Sequence, residues 1–73
     1  MLHVISLYSR FTLSFKSLYN DRHKISDILV KNGFIHQEWR RTPFDNYVEF
    51  RIDCNIRQAE VIRRLIKHFK IYE

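Results

Sequence analysis

A chain of 73 residues with one Gly, one Pro and one Cys, 45% hydrophobic and 15% aromatic, is too apolar for a disordered tail and too poor in Gly and Pro for linker material. A single Cys rules out a disulfide framework, and with four scattered His it rules out a tetrahedral zinc knuckle. Thirteen Lys and Arg against eight Asp and Glu leave a net charge of +5, which suits a polyanionic partner such as nucleic acid or an acidic protein surface.

The apolar runs, such as Ile28-Leu29-Val30, are far short of a membrane span, and residues 1–7 lack the basic leader and long apolar core of a signal peptide. One cytoplasmic domain over residues 1–73 is the expectation. A chain this short buries a modest core, so association with a second chain would help it.

Residues 3–16 alternate without losing phase. Ile5, Leu7, Phe11, Leu13 and Phe15 share one side, and Ser6, Tyr8, Arg10, Thr12, Ser14 and Lys16 the other, the period of a half-buried strand. Asn20 or Asp21 offers a helix N-cap, and Ile25, Ile28 and Leu29 give a buried helical stripe. Leu18 fits the same stripe, which allows a start near Ser17. Asn32-Gly33-Phe34 ends that helix, because the sole Gly stands where a left-handed residue is wanted and Phe34 can fold back on the last turn.

Two strands, 35–42 and 47–54, are expected around a turn at Pro43-Phe44-Asp45-Asn46. In the second, Val48, Phe50, Ile52 and Cys54 face one way; in the first, Ile35, Gln37 and Trp39 oppose His36, Glu38 and Arg40. Asn55 with Gln58 three residues on is a capping box. The helix it opens carries Ala59, Ile62, Leu65, Ile66 and Phe69 on one stripe and Arg57, Arg63, Arg64, Lys67 and Lys70 on the other side, with Glu60 the one acid among them.

The expected fold is α+β: a small βαββα unit, ferredoxin-like but incomplete, with an antiparallel sheet and both helices on one face. Only Lys70-Ile71-Tyr72 could supply a stub of a fourth strand. The strand through Ile5-Ser6-Leu7-Tyr8, the helix ending Lys31-Asn32-Gly33-Phe34, the turn at Pro43-Phe44-Asp45-Asn46 and the closing helix from Asn55 together resemble small ferredoxin-like proteins that act on or bind nucleic acid. These are the CRISPR spacer-integration subunit and ribonuclease antitoxins of similar topology. The resemblance implies a dimeric, nucleic-acid-associated module. Ser9-Arg10 stands where the integration subunit usually carries an Asp, so no catalytic residue carries over.

No catalytic constellation is expected. His23 and Asp27 have the spacing of a surface helix pair. Cys54 reads as a buried structural thiol, His36 and His68 are solitary, and one Gly cannot make a phosphate loop. No metal or cofactor is called for.

Eight of the thirteen cations are Arg, whose guanidinium forks onto phosphate and stacks on bases. The binding residues are therefore sought on the last helix, at Arg57, Arg63, Arg64, Lys67 and Lys70, with Arg40 and Arg41 of the hairpin in support. Trp39-Arg40-Arg41 beside Tyr47 and Arg51 could instead stack bases on a sheet face. The competing expectation is that Trp39 packs in the core and Arg40 pairs with Glu49 across the hairpin.

Two functions fit these features. One is a non-enzymatic module binding DNA or RNA, dimeric through Ser6, Tyr8 and Arg10 at an exposed first strand. The other is a phage- or toxin–antitoxin-type inhibitor that binds an acidic surface of a target protein.

Overall fold

The computed structural model describes residues 9–73. They form β1 (Phe11–Leu18), a 3-10 turn (Tyr19–Asp21), α1 (Arg22–Lys31), β2 (His36–Trp39), β3 (Tyr47–Cys54), α2 (Ile56–Ile66) and β4 (Ile71–Tyr72). The strands make one antiparallel sheet in the order β2-β3-β1-β4. Each helix follows one strand and returns the chain to the far side of a neighbouring one. This is the α+β, ferredoxin-like arrangement, and the two-residue β4 completes it, pairing Lys16↔Tyr72 and Ser17↔Ile71.

Alternation in the two central strands builds the core. Leu13, Phe15, Val48, Phe50, Ile52 and Cys54 are buried on one side of the sheet, against Ile25 and Leu29 of α1 and Ala59, Ile62 and Ile66 of α2. Phe15 and Phe50 are direct partners in register, and their rings stack at 5.2 Å with 13° between planes. Burial of each such side chain contributes about 1.5–3 kcal/mol, which outweighs any local propensity in choosing the strand phase.

The helix ends obey their local chemistry. Gly33 has φ +81°, Gly33 N–H donates to Val30 O at 3.0 Å, and Phe34 N–H donates to Leu29 O at 2.9 Å, the two bonds of a Schellman ending. Asn55 and Gln58 exchange both capping-box bonds, each 2.9 Å. At α1 the N-cap position is Asp21, with no side-chain capping bond.

Four expectations need correction. Leu18 belongs to β1, opposite Tyr47, and not to the helix. The β1–β3 ladder runs on, and Tyr19 N–H then donates to Asn46 O at 2.7 Å, so α1 begins only at Arg22. β2 is shorter than 35–42 and its apolar parity is reversed. His36↔Ile52 and Glu38↔Phe50 face the helices, while Ile35 is 90% and Trp39 53% exposed. An edge strand has one hydrogen-bonded neighbour, and the register of β3 sets its phase.

Third, α2 stops at Ile66, so Lys67 is its C-cap and Lys70 lies beyond it. Fourth, β1 lies inside the strand order: β3 pairs along all of it and β4 covers Lys16 and Ser17, while residues 11–15 have β3 as their one strand neighbour among the described residues. Of the residues expected near a dimer contact, Ser6 and Tyr8 lie outside the described residues, as does the strand expected over 3–8. Arg10 is engaged within the chain, donating to Asp53 O at 2.6 Å and meeting Asp53 Oδ2 at 3.4 Å and Gln58 Oε1 at 3.5 Å. No helix among the described residues is long and apolar enough to cross a membrane.

Candidate functional site

Both helices cover one face of the sheet, so residues of the opposite parity form the other face. Residues directly opposite in an antiparallel pair share a side, and the register orders them into rows. One row crosses all four strands as Trp39, Glu49, Lys16 and Tyr72; the next carries Gln37, Arg51 and Ser14; a third pairs Tyr47 with Leu18. Among the described residues, the exposed aromatics of this face are Trp39, Tyr47 and Tyr72. Tyr47 and Tyr72 meet edge to face, centroids 5.6 Å apart.

The electrostatics of this face centre on Glu49. Its Oε2 accepts from Ser14 Oγ at 2.8 Å and from Arg51 Nε at 2.9 Å. Those two hydrogen bonds, Arg51 first, hold the carboxyl below its usual range against the opposing effect of burial, with the charges of Arg51 and Lys16 adding in the same direction. Arg41 and Asp45 join Lys16, Trp39, Tyr47 and Glu49 around a small hollow. Neither Lys16 nor Arg41 forms an ion pair among the described residues.

The cations expected to act together on the last helix are divided. Arg63 is held by Glu73 through two bonds of 2.9 Å, Nε to Oε2 and Nη2 to Oε1. That fork raises the guanidinium's pKa and lowers the carboxyl's. Arg57, Arg64 and Lys67 are exposed with Glu60 among them, and Lys70 comes after the helix. Arg40 does not pair with Glu49. It donates to Asp45 O at 2.9 Å and stands 3.7 Å from the centroid of Tyr19, with Arg22 at 3.5 Å. Two guanidiniums that close must take opposite faces of the ring, so Tyr19 is clamped between them.

His23 and Asp27 are exposed and make no bond to each other. A pair that sequence spacing did not single out is Ser26 Oγ and His36 Nε2, 3.0 Å apart, with Glu38 Oε2 3.3 Å from the same nitrogen. His36 Nδ1 is buried without a partner. The tautomer decides whether Nε2 accepts from the Ser26 hydroxyl or donates to Glu38. Cys54 is fully buried, and burial pushes its thiol pKa up. No cluster of three or more His, Cys, Asp or Glu among the described residues could hold a metal.

The sheet-face residues Lys16, Glu49 and Tyr72 were not among those expected to bind a partner. Parity along β1 and β3 places Lys16 and Glu49 with Tyr47 and Arg51, but Trp39 joins them only once the phase of β2 is known. No family model, no curated protein and no solved structure matches this chain.

Proposed function

We propose that the chain is a non-enzymatic module that binds single-stranded DNA or RNA across the open face of its sheet. The observation that carries this reading is the placement of Trp39, Tyr47 and Tyr72 on one face among Lys16, Arg41 and Arg51. An exposed aromatic on a sheet face is costly in water and gains when a base covers it, and only unpaired bases offer their rings. Trp39 and Tyr72 stand three strand spacings apart in one row, about 14 Å at ~4.8 Å per spacing. A short run of splayed nucleotides fits between them, with phosphates toward the cations. The net charge of +5 favours encounter.

Trp39 is the sole tryptophan, so its fluorescence reports directly on stacking. Titration with short homopolymeric oligonucleotides should quench it. Tyr72→Ala, read by the same quenching, and Trp39→Ala, read by the anisotropy of a labelled oligonucleotide, should each weaken binding by about 1–3 kcal/mol, the usual loss per stacked base. With three phosphate contacts, log affinity should fall against log salt with a slope near −2, at about −0.7 per contact on a single strand. Folded aromatic variants that bind as well as the parent would overturn this reading. So would a preference for duplex DNA with a slope near −4.5, at about −0.9 for each of five contacts, abolished by reversing Arg57, Arg64 and Lys67.

A further inference from the structure

We propose that Glu49 is the base-reading residue of the open face and selects guanine within the bound single strand; this rests on the single-strand reading above. Glu49 sits inside the row whose exposed ends are Trp39 and Tyr72. It lines two hollows, one shared with Trp39 and Tyr47 and one with Tyr72. A base stacked at either end of the row can therefore turn its edge toward this carboxylate.

The hydrogen-bond inventory decides which base suits it. Oε2 already accepts twice, from Ser14 and Arg51, which fixes the carboxylate's plane. Oε1 has no partner among the described residues, and an ionised carboxylate offers only acceptor sites. The edge it faces must then present donors without a neighbouring acceptor. Adenine and cytosine each place a ring-nitrogen lone pair beside their amino group, and uracil and thymine flank their imino N–H with two carbonyls. Guanine alone offers two adjacent donors, N1–H and N2–H, on its Watson–Crick edge, and both can converge on the two acceptor sites of Oε1. Arg51 and Lys16 keep the carboxylate charged, and the Glu49 side chain, 16% exposed, offers its second oxygen through the hollows it lines.

The bland account of the same contacts is that Glu49 only offsets the charge of Arg51 and Lys16. The two accounts differ in what the protein prefers. The test measures Trp39 quenching by oligouridylates of one length carrying at their centre guanosine, inosine, adenosine, cytidine or uridine. The guanosine strand should bind about tenfold more tightly than the adenosine strand, as one good pair of base contacts provides. Inosine keeps N1–H and lacks the 2-amino group, so it should fall between them. In Glu49→Gln the ratio of guanosine to adenosine affinity should collapse to about one, since the amide presents a donor as well as an acceptor. Equal binding of all five strands by the unaltered protein would overturn the inference while leaving single-strand binding standing. A folded Glu49→Gln that keeps the preference would overturn it too. Absence of quenching by every strand would overturn the functional reading and this inference with it. The base series on the unaltered protein decides the matter even if the variant fails to fold.

Discussion

Substitution at Gly33 tests the α1 ending through a single backbone angle. The residue has φ +81°, and a Cβ built there meets nothing within 4 Å. A side chain therefore collides with no neighbour, and its cost is that of holding an L-residue in the left-handed region. For Gly33→Ala that is roughly 1 kcal/mol. For Gly33→Val, whose branched Cβ crowds the flanking backbone, it is about 2 kcal/mol. Gly33→Asn should cost less than Gly33→Ala, because Asn tolerates this conformation. At the neighbouring position Asn32 Nδ2 donates to Ile28 O at 2.7 Å in an exposed setting, so Asn32→Ala should lose only about 0.5–1 kcal/mol. In a domain of this size 1 kcal/mol moves Tm by about 4–8 °C, which makes the order Asn, Ala, Val resolvable by circular dichroism melts, with urea titrations as the second measure. Equal, small losses at positions 32 and 33, whatever the residue introduced, would refute a left-handed ending at Gly33.

The thiol of Cys54 should resist Ellman's reagent in the native protein and react in urea, since it is buried and its pKa is raised; labelling of the native protein at the rate of a free thiol would place it on the surface. Glu73 titrates lower in the folded protein than its ordinary value of 4.5 because Arg63 bonds to it, so the bridge contributes fully above about pH 4.5 and is lost as pH falls through the lowered value. Arg63→Ala should accordingly narrow the gap between Tm at pH 6 and at pH 3 by a small amount, as expected of an exposed pair; an unchanged gap would show that the bridge adds nothing. Phe50→Ala should cost about 3–5 kcal/mol in urea melts, far more than Trp39→Ala, whose ring is half exposed; the reverse order would mean that the phases of β2 and β3 are mistaken. Reversing Arg57, Arg64 and Lys67 together to Glu should leave the melting curve nearly unchanged and weaken single-strand binding less than Tyr72→Ala does, as read by Trp39 quenching.

Gly33, the Asn55–Gln58 box and the alternation of Val48, Phe50, Ile52 and Cys54 were legible from residue order because each rests on chemistry within a few positions. The phase of β2 was not. Trp39 and Ile35 are the apolar residues there, and their hydrophobicity argued for burial, yet partners on β3 turn His36 inward. β4 is too short to show a period, and its place depends on Ser17 and Lys16 more than fifty positions earlier. The Arg63–Glu73 fork lies outside any helical spacing. The candidate site draws its residues from all four strands, so it exists only once the sheet order is known. A basic helix was the more visible feature in the chain, and the structure divides its cations.

The Tyr19 clamp bears on the order in which the sheet assembles. It joins the end of β1 to the β2–β3 turn through Arg40 and through the Tyr19–Asn46 bond. Along the β1–β3 ladder the distance in sequence between partners is smallest at Leu18↔Tyr47 and widens by two residues at every step toward Phe11↔Cys54. Loop-closure entropy grows with that distance, so the central pair closes most cheaply beside the clamp and zips away from it. Contacts near Tyr19 are therefore expected in the rate-limiting step of folding, and those of Phe11 and Arg10 after the barrier is crossed. In a chevron plot Tyr19→Leu should depress the folding arm, whereas Arg10→Ala should raise the unfolding arm and leave the other in place.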